Sequence, residues 1–218
     1  MAIPLPIETD RLLLRRFEPE LDVEPMLAVY GDPEVMRFIP GGAYSGLDAV
    51  RARLAAYARE HDSRGFSFWA VVERASGEVI GDAGFGVFRQ TGDVELGYTL
   101  RRDRWGRGYA TEAARACLDA GFAHLGVARI VAVVDEENAR SFHVAERIGM
   151  ARIGTVETGG RPHALFATSD PRPPQEEDDQ PRQPRDDRED EQPLDDDDRE
   201  PDRDHDDHGE QKQAEDVH

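Results

Sequence analysis

The chain has 218 residues, one cysteine and a net charge of −19. A single cysteine excludes an intramolecular disulfide, and no segment reaches the ~18 consecutive apolar residues that a membrane-spanning helix needs. The acidity is uneven: residues 1–169 hold 20 arginines against 24 carboxylates, a net of −4, whereas residues 170–218 carry −15.

The opening MAIPLPIETDRLLLRRFEPE has no long apolar run and no cleavage pattern, so no signal peptide is expected and a cytoplasmic location is. Arg11 to Arg16 (RLLLRR) reads as a short strand. Leu21 to Tyr30 and Pro33 to Phe38 read as helical, with Gly31 and Asp32 between them. Ser45 is placed to cap a longer helix to about Asp62, whose apolar side uses Val50, Leu54 and Tyr57. Three apolar runs with short connections follow: Phe66 to Glu73, then EVIGDAGFGVF, then VELGYTL (Val94 to Leu100). They predict an antiparallel meander, with glycines suggesting a bulge in the middle strand.

The period then changes from two to 3.6. Ala110, Ala113, Ala114, Cys117, Leu118, Gly121, Phe122 and Leu125 share one side of a helix that Gly126 is placed to end. Arg129 to Val134 is an apolar strand, parallel to Val94–Leu100 by the crossover rule. A helix over about Ala139 to Ile148, with Asn138 as a plausible cap, precedes two strands near Ala151–Glu157 and His163–Thr168. The domain is mixed α/β, meander first and crossover second. After it, residues 170–218 contain only Leu194, Ala214 and Val217 as apolar residues, so a disordered acidic tail is expected. His205 and His208 within it read as solvated low complexity rather than a metal tract.

One stretch interrupts the regular pattern. DRWGRGYATEA (Asp103 to Ala113) places Gly106 and Gly108 between a strand and a helix start. Glycine lets the main chain approach a ligand, and free N–H groups at a helix entrance carry partial positive charge that suits an anion. By itself the stretch reads first as a ligand-free turn. It lacks the Gly-Lys-Ser/Thr of a P-loop, and no G-x-G-x-x-G is followed by a ribose-binding acid.

Taken together, TDRLLLRR (Thr9 to Arg16), DPEVMRFIP (Asp32 to Pro40), VELGYTL with WGRGYATEA, and NARSFHVAERIGM (Asn138 to Met150) resemble the GNAT superfamily of acyl-CoA-dependent N-acetyltransferases, most closely its RimJ/RimL-like branch. The resemblance spans Ile7 to about Thr168 and leaves the tail outside. It implies a central, mostly antiparallel sheet with one parallel, splayed strand pair, flanked by helices. It also implies acetyl-CoA as the acyl donor and no metal. The diphosphate of the cofactor would lie on Arg104, Trp105, Gly106, Arg107, Gly108, Tyr109, Ala110 and Thr111. The pantetheine arm would pair with the main chain of Leu96, Gly97 and Tyr98, bordered by Asn138 and Ser141. Trp105 stands where the superfamily usually has Gln or Arg.

Acetyl transfer to an amine needs a base for the ammonium proton, donors for the oxyanion and an acid for the departing thiolate. The resemblance and strand alternation make Glu95 the candidate base, on the face of Gly97 and Thr99, opposite Val94, Leu96 and Tyr98. The alternative for Glu95 is an exposed strand residue paired with an arginine. The superfamily's usual acid, a tyrosine, is Ala145 here; the branch suggests Ser141 instead, the alternative being a first-turn residue that helps cap the helix end. Acceptor walls are expected from Phe38, Tyr44, Trp69, Phe85, Arg89 and His163, although the aromatics fit a core equally well. His143 reads as a helix-surface residue. The partners expected are acetyl-CoA and a primary amine, from a protein N-terminus or a small molecule, with neither nucleic acid nor membrane, and a monomer or homodimer. The alternatives are a non-catalytic acyl-CoA-binding module acting through its acidic tail, and an ordinary nucleotide-binding α/β protein.

Overall fold

Regular elements follow one another in the computed structural model, which describes residues 2–169, as β1 (Ile7–Glu8), β2 (Leu12–Arg15), α1 (Pro19–Tyr30), α2 (Leu47–Arg64), β3 (Phe68–Glu73), β4 (Val79–Val87) and β5 (Val94–Leu100). Then come α3 (Tyr109–His124), β6 (Arg129–Asp135), α4 (Ala139–Arg147), β7 (Ala151–Thr158) and β8 (Arg161–Ser169). The expected acidic tail, with His205 and His208, lies outside the described residues. Among the described residues no helix is long and apolar enough to cross a membrane.

All eight strands form one sheet in the order β1-β2-β3-β4-β5-β6-β8-β7. Every pair is antiparallel except β5 and β6. That parallel pair is short: only Val94 with Ile130 and Glu95 with Val131 are in register. Beyond Glu95, β5 stays paired to β4 as far as Leu100, and β6 stays paired to β8 as far as Asp135. Each strand is thus held straight from its outer side while the inner edges part, leaving a wedge of unpaired main chain.

Alternation along the strands sorts the side chains into two cores. On one face Leu12, Leu14, Trp69, Val71, Ile80, Phe85, Leu96 and Ile130 pack with Ala113, Cys117 and Phe122 of α3. On the other, Ala70, Val72 and Val79 pack with Met26, Val29 and Tyr30 of α1 and Val50, Leu54 and Tyr57 of α2. Burial of each large apolar side chain contributes on the order of 2 kcal/mol.

Two local expectations are corrected and one short strand is added. Pro33–Phe38 is not a helix; it is a turn and a short 3-10 segment at Met36–Phe38, because Asp32 Oδ1 accepts from the Glu34 N–H at 2.9 Å and Pro40 disfavours a helical Ile39. Ser45 does not cap α2: Gly46, at φ +91°, turns the chain and the helix begins at Leu47 without a side-chain cap. The two-residue β1, paired with Leu13 and Leu14, was too short to carry a periodic signal. Asn138 does cap α4, its Oδ1 accepting from the Ser141 N–H at 3.2 Å.

Candidate active site

The glycine loop joins β5 to α3 at the open end of the wedge. Gly106 and Gly108 both adopt left-handed backbone, at φ +74° and +81°. Among the described residues the N–H groups of Gly106, Arg107 and Gly108 make no main-chain hydrogen bond, and α3 starts at Tyr109 without a side-chain cap. A Cβ on Gly106 would meet nothing within 4 Å, so that side of the loop is open. Bare donors, glycine backbone and a helix dipole are the features an anion requires.

Both ends of the loop are fixed. Before it, Arg101 and Arg104 share Glu78, at 2.9 and 2.7 Å, and each also bonds Asp103. After it, the Tyr109 hydroxyl donates to Glu73 at 2.5 Å. That bond, with a second from Ser76, holds the Glu73 carboxyl below its usual range. Arg11 is a second brace: its guanidinium donates to Glu112 and to the Arg107 carbonyl at 2.9 Å, and lies 4.6 Å over the Tyr109 ring. Thr9 also donates to Glu112, at 2.6 Å. The Thr9–Arg11–Glu112 brace escaped the sequence reading because its members lie about a hundred positions apart. Arg104, expected to face phosphate, points instead into Glu73, Glu78 and Asp103. Arg107 is exposed beside the loop. Trp105 donates from its indole to the Leu100 carbonyl at 2.8 Å, and Arg140 of α4 lies 4.4 Å over its ring, so Trp105 links the two lips of the wedge.

Glu95 stands on the last paired rung, where β5 and β6 begin to separate. It is half-buried and, among the described residues, its carboxyl forms no hydrogen bond or ion pair. Burial pushes its carboxyl up to about 7. An exposed, arginine-paired glutamate is therefore not what the structure shows. Across the strand, Tyr98 turns its phenol to the other face, toward Ser141; burial pushes the phenol up to about 12. Ser141 occupies the first turn of α4, positioned by the Asn138 cap.

The acceptor-wall candidates divide. Trp69 and Phe85, each 1% exposed, pack edge to face with each other on the α3 side of the sheet. The period-two alternation that puts Glu95 on one face puts them on the other, so they are core and cannot line an acceptor cleft. Phe38 and Tyr44 are half-buried in the segment between α1 and α2, Tyr44 packing 5.3 Å from Tyr30. His163 is buried on the Glu95 face: it is paired with Asp135, which lies four residues beyond the Val131 partner of Glu95, and its Nδ1 is 3.0 Å from the Arg161 carbonyl. Arg89 is exposed in the turn after β4, and His143 is exposed on α4.

This architecture has close counterparts. The Acetyltransferase (GNAT) domain family matches residues 11–151. YkkB of Bacillus subtilis is 35% identical over 164 residues, which cover 72% of this chain and 92% of that protein. A GNAT-family acetyltransferase from Bacillus anthracis superposes with a TM-score of 0.65 at 27% identity, over 76% of this chain and 98% of that one. RimL, a ribosomal L7/L12 alpha-N-protein acetyltransferase whose structure holds coenzyme A, shares the fold at 17% identity, with a TM-score of 0.64 over 78% of this chain and 98% of its own. The splayed parallel pair, the glycine loop at the entrance of α3 and these matches lead to one conclusion: the chain belongs to the GNAT acetyltransferases, and is an acetyl-CoA-dependent acyltransferase.

Proposed function

We propose that the protein transfers acetyl from acetyl-CoA to a primary amine by direct attack within a ternary complex. The loop fits the diphosphate of that donor: its donors are unengaged, its glycines already hold left-handed backbone, and the space beside Gly106 is open. The N–H groups of Gly106 to Thr111 would hold the diphosphate, and the free edge of Leu96 to Tyr98 would pair with the arm by strand addition. Bound there, the donor supplies an activated acyl carbon.

The chain's own residues then handle protons. Glu95 takes a proton from the acceptor ammonium, directly or through one water. An acid near 7 is matched to this task, because it is substantially ionised at neutral pH while still basic enough to accept. The Ser141 hydroxyl, backed by Tyr98, offers a proton to the departing sulfur. N–H groups near Leu96 and Gly97 stabilise the oxyanion. The amine belongs to a protein N-terminus or to a small molecule.

The observation that carries this reading is Glu95: an unpaired, half-buried carboxyl at the point where two strands part. Calorimetry with acetyl-CoA, followed by thiol release across a panel of peptides and small amines, tests it. Binding with release, lost in Glu95→Gln while binding persists, is the expected result. Binding without release from any acceptor would favour a non-catalytic acyl-CoA-binding module instead.

A further inference from the structure

We propose that Phe68 of β3 is a positioning residue, which walls the acceptor side of β5 and keeps water away from the Glu95 carboxyl. The inference rests on the reading of Glu95 as the base. Phe68 is in register with Gly84, and Gly84 with Gly97, so its side chain rises from the same face as Glu95, two strands away and one rung along. The far end of the ring then reaches over two glycines. A Cβ on Gly97 would stand 2.9 and 3.0 Å from Phe68 Cε1 and Cζ, and one on Gly86 would stand 3.7 Å from Cε2. Gly97 is the next residue beyond Glu95 on its own face, and Gly86 is its partner directly across the strands. Directly opposed Cβ positions are about 5 Å apart, so the aromatic edge occupies ground beside Glu95 on two sides. Behind it, Tyr57 packs at 5.2 Å and Phe17 stacks on Tyr57 at 5.9 Å, which keeps the ring from swinging away.

No charge offers a competing cause. The ionisable groups that share this side are Arg15 of β2 with Asp22, Tyr30 of α1, Arg53 and Tyr57 of α2, Asp82 of β4, Asp93 just before β5, Arg129 and Asp135 of β6, and Arg161 and His163 of β8. Each has other partners. Arg129 is paired with Asp93 at 2.6 Å and Arg15 with Asp22 at 2.7 Å, Tyr30 donates to Asp82, Arg53 lies 4.3 Å over Tyr57, and Asp135 is paired with Arg161 at 3.2 Å and faces His163. Burial is the only influence that raises the Glu95 carboxyl. The two glycines explain how so large a side chain fits: any side chain at position 97 would displace the ring.

The test is a carbon-13 NMR titration of the Glu95 carboxyl in the full chain, for the wild type, Phe68→Ala and Phe68→Leu, with acetyl-CoA binding as the check of folding. The Glu95 midpoint is expected to fall in Phe68→Ala, and by less in Phe68→Leu. A fall of one pH unit raises the ionised fraction at pH 6 about fivefold. The acid limb of kcat/KM should move with the midpoint. A midpoint that stays in place in both folded variants overturns the proposal. A midpoint that falls while the limb of the rate profile stays put supports the shielding but removes Glu95 as the base, so the two readings fail separately. Should Phe68→Ala lose its fold, Phe68→Leu alone decides the matter.

Discussion

Replacing Glu95 with glutamine should make the protein more stable and less active at the same time. In the unfolded chain the carboxyl titrates near 4.5, and burial raises it to about 7 in the folded one. Between those values the folded state binds more protons than the unfolded state, so stability falls as pH rises and the loss is complete above the folded value. A difference of 2.5 between the two sets the loss at about 3 kcal/mol at most, with solvent reaching the half-buried group making it smaller. Glutamine has no ionised form to desolvate. In urea denaturation at pH 8.5, Glu95→Gln should therefore exceed the wild type by about 2–3 kcal/mol, equivalent to roughly 5–10 °C in Tm for a domain of this size. At pH 5 the gap should shrink below about 1 kcal/mol. Asp82, which burial pushes up to about 6, changes stability in the same direction but is common to both proteins and cancels in the difference. Acetyl transfer should drop by about 10²–10⁴. A gain of equal size at both pH values, or a loss at pH 8.5, would refute the reasoning, because neither follows from a desolvated carboxylate.

Other substitutions probe other parts of the site. Gly108→Ala places a side chain at φ +81°, with its Cβ 3.4 Å from the Arg11 guanidinium; the left-handed strain of about 1–2 kcal/mol should weaken acetyl-CoA binding about tenfold by calorimetry, and an unchanged Kd would count against a rigid anion cradle. Ser141→Ala should lower kcat about 10- to 100-fold with acetyl-CoA affinity unaltered, since it removes a proton donor and leaves the Asn138 cap on the main-chain N–H intact; steady-state rates that match the wild type would exclude the acid role. Trp69→Ala should cost about 3–5 kcal/mol of stability while the acceptor KM of the folded fraction holds constant, and a selective rise in KM would return Trp69 to the acceptor wall.

The sequence by itself determined the order of the longer elements, though not the two-residue β1. The bounds of β5, the long helix behind the glycine loop and the Asn138 cap of α4 follow from period, cap chemistry and glycine placement, all of which act within a few residues. Local signals marked the glycine loop only as a break in the pattern; its reading as an anion site, and the choice of Glu95 and Ser141, came from the resemblance of whole motifs to the GNAT superfamily. Where local signals were weak, as at Pro33–Phe38 and at the start of α2, turn chemistry from Asp32 and Gly46 prevailed over the helical reading.

Only the tertiary structure decided what surrounds those residues. Which face of the sheet receives α3 consigned Trp69 and Phe85 to the core, and carboxylates from β3 and the adjoining turn drew Arg104 away from the loop. The brace from Thr9 and Arg11 to Glu112, and the Phe68 ring reaching over Gly86 and Gly97, join positions far apart in the chain. Protonation depends on water access and neighbouring charge, and both are set by which distant segments pack together. A carboxyl's identity and strand position are therefore legible from sequence, whereas its isolation from every arginine in an arginine-rich domain is settled by the fold.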